Sequence, residues 1–241
     1  VEYSLKAVDW LRKGGYWNLR VWGTCLRMAA MTMNSLGNFD EALRHALDLT
    51  KFGEDSNDRQ IWCWGFAEQG VVQRGLGRIE EAISNLQKAI DLAVDVPDYA
   101  YHLRAGAYLA DCHLLRGNFD RARALLEECD LIGRQHKVIG PIYSFIINGL
   151  AKAYVFAAEQ NTGSARAEWL KKAEKESKRS LKLGKAFKYC RVDAMLHQGT
   201  CEWLYKRPAS AQKWWKKSAS IAEEIGMHYR LGMIHLEMGR R

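Results

Sequence analysis

Three heptapeptides recur at equal spacing in this chain, and that spacing limits the fold more than any other feature. Leu36-Gly37-Asn38-Phe39-Asp40-Glu41-Ala42, Leu76-Gly77-Arg78-Ile79-Glu80-Glu81-Ala82 and Arg116-Gly117-Asn118-Phe119-Asp120-Arg121-Ala122 align without gaps, and their glycines lie 40 residues apart both times. A fixed internal period of this size marks stacked supersecondary units, each too small to bury a core alone. Each block separates two helical patterns. The glycine ends one helix in the left-handed region at low steric cost, and the acids after it suit the positive end of the next helix. Behind each block runs an apolar stripe at i, i+4 and i+7: Ala42, Ala46 and Leu49; Ala82, Leu86 and Ala89; Ala122, Leu126 and Cys129. Such spacing keeps one helix face apolar, and alanine at its start permits close helix approach.

Two further units follow with weaker punctuation. Ala173, Ser177 and Ser180 continue the stripe, behind a helix carrying Leu150-Ala151-Lys152-Ala153-Tyr154, and Ala211, Trp215 and Ser218 form the last one. The step from Ala122 to Ala173 is 51 residues, so extra chain lies around Glu159–Ser164. Gln160-Asn161-Thr162-Gly163-Ser164 is polar and turn-rich, which predicts an extended loop or extra helical turns there. Residues 2–14 read as a leftover second helix and residues 228–239 as an unpaired first helix. The expectation is one repeat domain over 1–241, with five helix pairs and partial units at both ends. Val1 stands where an initiator Met would, which predicts a piece of a longer polypeptide.

With 48% hydrophobic and 27% charged residues the composition is that of an ordinary globular chain, and only 3 prolines interrupt its helices. No apolar run approaches the ~20 residues that cross a bilayer, and Val1-Glu2-Tyr3 does not open a signal peptide. Cys25, Cys63, Cys112, Cys129, Cys190 and Cys201 contain no Cys-x-x-Cys pair, which predicts free buried thiols in a reducing, cytoplasmic setting. The nearest approach to a metal cluster, Cys112-His113 with Cys129, is short of the four ligands of a structural zinc site, so neither metal nor cofactor is expected. Gly75-Leu76-Gly77 is half a dinucleotide fingerprint without a preceding strand or third glycine, and reads as a repeat turn. No phosphate-loop, zinc-protease or nucleophile-elbow motif is present. The acid pairs Glu80-Glu81, Glu127-Glu128 and Glu223-Glu224 fall opposite the apolar stripes, as solvated surface does. Nothing in the sequence calls for an enzyme.

The repeated pattern resembles the tetratricopeptide repeat superfamily over essentially the whole chain. Ala30, Gly70, Ala110, Ala151 and Gly199 match the small residue of that family's first helix, and Ala42, Ala82, Ala122, Ala173 and Ala211 that of its second. The first-helix aromatic survives only as Phe66 and Tyr154, Pro97 is the sole remnant of the closing proline, and the period exceeds the usual ~34 residues. The longer form is similar to repeats of bacterial multidomain signalling proteins, such as ATPase-linked nucleotide cyclases and maltose-type transcription activators. The resemblance implies an all-α fold, an α-solenoid in which antiparallel helix pairs stack into a right-handed superhelix. It further implies a concave groove lined by the first helices, with Arg27, Asn34, Trp64, Arg74, Arg104, Lys152 and Trp203 among the facing residues. Such a wall of cations and aromatics suits a peptide bearing a carboxylate. The alternative for Trp64 and Trp203 is packing against neighbouring repeats.

Charge is distributed unevenly. Residues 1–160 hold 18 Lys/Arg against 20 Asp/Glu, whereas residues 161–241 hold 18 against 8. Lys171, Lys175, Lys178, Lys182 and Lys185 recur at helical spacing along one face, and Lys213, Lys216 and Lys217 occupy the corresponding helix of the next unit. This basic ridge either is solvated surface or meets nucleic acid, anionic lipid or an acidic domain of the parent protein. Two functions follow. The first is a protein-interaction or regulatory module taking a peptide, or a partner domain of another protein or of the same parent chain, in its groove. The alternative is a nucleic-acid-binding module using the basic C-terminal half.

Overall fold

The same pair of backbone hydrogen bonds closes turn after turn along the chain. Gly37 N–H donates to Asn34 O at 3.1 Å and Asn38 N–H to Met33 O at 2.9 Å; Gly77 with Arg78 and Gly117 with Asn118 repeat the pattern. These bonds satisfy the carbonyls that a helix end leaves open, and they require a left-handed residue, met by Gly37 (φ 84°), Gly77 (φ 77°) and Gly117 (φ 75°). In the last pair Lys206 holds this position at φ 61°, with Lys206 N–H on Trp203 O and Arg207 N–H on Glu202 O.

The computed structural model describes residues 2–14 and 18–241. Among these, twelve α-helices and one 3-10 turn are present and no strand. They are α1 (Glu2–Gly14), α2 (Leu19–Leu36), α3 (Phe39–Asp55), α4 (Arg59–Gly75), α5 (Ile79–Asp95), α6 (Tyr99–Leu115), α7 (Phe119–Gln135), α8 (Pro141–Gln160), α9 (Gly163–Leu183), the turn Gly184–Ala186, α10 (Lys188–Leu204), α11 (Pro208–Glu224) and α12 (His228–Gly239). Short polar side chains start several of them. Asn18 accepts from the amides of Arg20 and Val21 at the head of α2, and Asp58 from those of Gln60 and Ile61 at the head of α4, each pairing donors that the first turn leaves open.

Helices pack in sequence within two compact units, Val1–Cys112 and His113–Arg241. In the first, α2 packs on α3, α3 on α4 and α4 on α5, while the first helices α2 and α4 also touch. In the second, α8 packs on α9, α9 on α10 and α10 on α11, and α10 lies against both α8 and α12. The contacts centre on small residues. Ala30, Ala42, Ala82, Ala110, Ala122, Ala151, Ala173 and Ala211 are wholly buried. Where glycine replaces alanine a bulky partner fills the space: a Cβ on Gly70 would come within 2.5 Å of Leu86 Cγ, and one on Gly199 within 2.5 Å of Trp215 Cδ1.

The surplus residues before Ala173 went into helix rather than loop. α8 and α9 have 20 and 21 residues against 17 in α4 to α7. Only Asn161 and Thr162 separate them, and Gly163, at φ +58°, opens α9. The helix does not run through the glycine.

Two outcomes test this packing. Ala82→Leu and Ala122→Leu are each expected to cost about 1–3 kcal/mol by overpacking a helix pair, measured by denaturant unfolding; unchanged midpoints in both would mean that the register is wrong. Lys206→Gly relieves a left-handed lysine at some entropic cost, so stability should rise by about 0.5–1 kcal/mol. A lower midpoint would show that the turn does not need a left-handed residue.

Candidate functional site

The first helices carry most of the buried polar groups, and in the first unit these groups meet one another. Glu68 on α4 is 0% exposed and Arg104 on α6 is 2% exposed. The guanidinium grips the carboxylate with both edges, Nε to Oε1 at 2.9 Å and Nη2 to Oε2 at 2.7 Å. The Tyr101 hydroxyl donates to the same Oε1 at 3.2 Å. Arg27 on α2 closes the cluster, donating to Tyr101 Oη at 3.0 Å with its guanidinium 4.9 Å from the Trp64 ring centroid. Burial disfavours the Arg104 cation, but Glu68 together with Tyr108 and Tyr101 more than offsets it, so its pKa ends above the ordinary value. Burial raises the Tyr101 hydroxyl, Glu68 adding to the effect.

Trp64 is 8% exposed; its indole N–H donates to Asp98 Oδ2 at 2.8 Å and its ring lies 5.7 Å from that of Tyr101. Asp98 also accepts from the Gln60 amide at 3.0 Å and from the Tyr101 backbone at 3.1 Å, so one carboxylate ties α4 to the start of α6. Arg74 is buried in an ion pair with Asp111. Trp64, Arg74 and Arg104, expected along the groove, are buried, and each has a polar partner within the unit, as a buried cation or indole requires. Arg27 and Asn34 are half-buried.

The second unit brings a different set together. Lys152 on α8, Asp193 and His197 on α10, and Arg230 on α12 share neighbouring first helices, each only half-buried. Arg230 Nη2 lies 3.2 Å from Asp193 Oδ2. The His197 imidazole is pushed down to about 4, first by burial and then by Lys152 and Arg230, against the opposing pull of Asp193 and Glu237. It is neutral at neutral pH, able to donate or accept a hydrogen bond between two cations. Next to this set, Glu237 accepts from Thr200 Oγ1 at 2.9 Å and from Arg241 Nε at 3.1 Å. His197 and Arg230 were not among the residues expected from the sequence. Arg230 falls one turn before Met233, which a 40-residue shift from Asp193 would mark, and no groove residue was assigned to the unpaired helix. Trp203, half-buried, packs on Trp215 with centroids 6.0 Å apart.

The acid pairs Glu80-Glu81, Glu127-Glu128 and Glu223-Glu224 are exposed, as their position opposite the stripes implies. Among the described residues no three His, Cys, Asp or Glu side chains are grouped to hold a metal ion, and no helix is long and apolar enough to cross a membrane. Five of the six thiols are buried and Cys25 is half-buried; burial pushes Cys63, Cys129 and Cys201 up to about 12, so they stay protonated. Lys171, Lys175, Lys178, Lys182, Lys185, Lys213, Lys216 and Lys217 are all exposed.

Residues 66–129 match the family described as the tetratricopeptide repeat. Over that stretch the chain carries the tetratricopeptide-repeat pattern. Solved structures agree at the level of the fold. The apo form of RapI is 12% identical, with a TM-score of 0.65 over 93% of this chain and 76% of that one. A Rap protein complexed with competence and sporulation factor is 12% identical, with a TM-score of 0.58 over 90% and 65%. A signal transduction ATPase with numerous domains and a tetratricopeptide repeat sensor, from Pyrococcus horikoshii, is 18% identical with a TM-score of 0.60; the match covers 97% of this chain but 39% of that one. No curated protein sequence matches the chain. The matched stretch holds the small residues Gly70, Ala82, Ala110 and Ala122 and two of the turns that lie 40 residues apart.

The Glu68–Arg104 pair carries a stability test. Arg104→Met strands a buried carboxylate and should cost roughly 3–5 kcal/mol, whereas adding Glu68→Leu should recover much of the loss. Equal unfolding midpoints for the wild type and Arg104→Met would show that the pair is solvated.

Proposed function

We propose that this chain is a protein-interaction module that takes a peptide or partner domain along the first helices of its repeats. In this reading it is a binding rather than a catalytic unit, one run of repeats over 1–241 that regulates a longer cytoplasmic signalling protein. The observation that carries the reading is the half-buried set on α8, α10 and α12: Lys152, Asp193, His197 and Arg230. Three neighbouring helices supply two cations, one acid and one neutral imidazole within reach of solvent, a mixture that can orient a polar chain by charge and by hydrogen bonds. Rigid helices hold it, which lowers the ordering cost of binding. The regulatory part draws support from the similar fold of a repeat sensor within a multidomain ATPase, and the binding part from that of a Rap protein in complex with a factor.

Selection of a displayed peptide library against the immobilised chain, followed by anisotropy titration of the enriched peptide, tests the reading. Lys152→Ala and Arg230→Ala should each weaken binding about tenfold or more, the usual loss at a central anchor. Lys51→Ala on the exposed face of α3 should leave it unchanged, with melting temperatures of all three within a few degrees of the wild type. Loss of affinity in Lys178→Ala alone would move the contact to the basic ridge and overturn the reading.

A further inference from the structure

Among the described residues, three of the five lysines of α9 have no acid partner. At 100° per residue, Lys171, Lys175, Lys178 and Lys182 point within about 60° of one another, and they span about 16 Å of helix. Lys178 contacts Glu174 at 2.5 Å, whereas among the described residues no carboxylate lies within ion-pair distance of Lys171, Lys175 or Lys182. The arginine of this stretch behaves differently. Arg179 turns inward, donating to Asp130 Oδ1 at 3.0 Å and to Glu176 Oε2 at 3.1 Å, 5.2 Å from the Tyr143 ring. The outer row is thus lysine alone. It belongs to a unit that holds 24 Lys/Arg against 13 Asp/Glu in residues 113–241, whereas residues 1–112 hold 12 against 15.

Sequence alone placed few aromatics among these lysines, but the turn at the end of α9 supplies two. After Lys185 the chain leaves the 3-10 turn through Phe187, whose extended backbone (φ −135°) starts α10. Phe187 is 38% and Tyr189 39% exposed, with ring centroids 6.4 Å apart at 58°. Lys188, between them, is exposed and contacts Glu224. A row of exposed lysines, three of its four without an acid partner among the described residues, is therefore followed in the chain by a pair of part-exposed rings.

We propose that this surface, from Lys171 to Tyr189, binds single-stranded nucleic acid, with the lysines along the phosphates and Phe187 and Tyr189 stacking bases. A positively charged track ending on aromatic faces is what a flexible polynucleotide needs, because every base offers a π-face whatever its sequence. Lysine meets phosphate as a point charge, whereas recognition of a carboxylate peptide favours the bidentate fork of arginine, and here the arginine is engaged inside. A bilayer surface would call for apolar side chains that project into the acyl boundary, and Phe187 and Tyr189 each expose less than two fifths of their surface. The proposal stands on the second unit's outer surface and is independent of the interaction reading above.

The test is anisotropy titration of the whole chain with fluorescein-labelled twelve-nucleotide oligo(dT) and oligo(U) between 50 and 200 mM salt. With four lysines on phosphates, the log–log slope should be about −3 and the affinity should fall about 50-fold across that range. Lys175→Ala with Lys182→Ala should halve the slope. Phe187→Leu with Tyr189→Leu, which retains apolar bulk in the turn, should weaken binding about tenfold at unchanged slope; Lys51→Ala should do neither. Preference for a duplex of the same length, equal competition by polyglutamate, binding only to vesicles containing phosphatidylserine, or unchanged affinity in the leucine double variant would each overturn the proposal. A failure here leaves the Lys152 and Arg230 result untouched, so the two readings fall separately.

Discussion

Every repeat depends on the close approach of two helices at a residue with little or no side chain. Ala42, Ala82, Ala173 and Ala211 are buried completely on the second helices, facing first helices that carry Ala30, Gly70, Ala151 and Gly199. Short side chains let the backbones come near enough for larger neighbours such as Leu86 and Trp215 to close over the gap. Interiors are packed at crystal-like density, so one added methylene is felt. The 40-residue spacing is the visible consequence of that contact. Each pair must bring its small residue to the same height, and the turn glycines set where the second helix begins.

Burial on the first helices imposes a second condition on the cations. A guanidinium that leaves water must find an acceptor, and Arg104 finds Glu68 while Arg74 finds Asp111. In the second unit Arg179 bonds to Asp130 and Glu176, with the Tyr143 hydroxyl 2.5 Å from Asp130. Burial works against the Asp130 charge, yet its bonds from Arg179 and Tyr143 hold the carboxyl below its ordinary range. Arg74, Arg104 and Arg179 are thus committed to holding helices together. The exposed positive charge that remains for partners is mostly lysine, and that difference shapes both functional readings.

The helices, their turns and the pairing small residues were legible in the residue pattern, because they are local: a glycine at a left-handed turn, an acid at a helix start, an apolar residue every three or four positions. Even the surplus before Ala173 was visible, although only packing decided that it lengthens α8 and α9. The site was much less legible. Trp64 and Arg104 occupy positions that a repeat alignment assigns to an open wall, yet Asp98 and Glu68, 34 and 36 residues away in the chain, take up their hydrogen bonds. The half-buried meeting of Lys152, His197 and Arg230, and the exposure of Phe187 beside Tyr189, likewise depend on which helices become neighbours. Period, composition and turn chemistry by themselves determined that this chain is a stack of helix pairs with a basic second half. Only the tertiary structure decided which of its charges remain for a partner, because a side chain's availability is set by acceptors that sequence-distant helices bring to it.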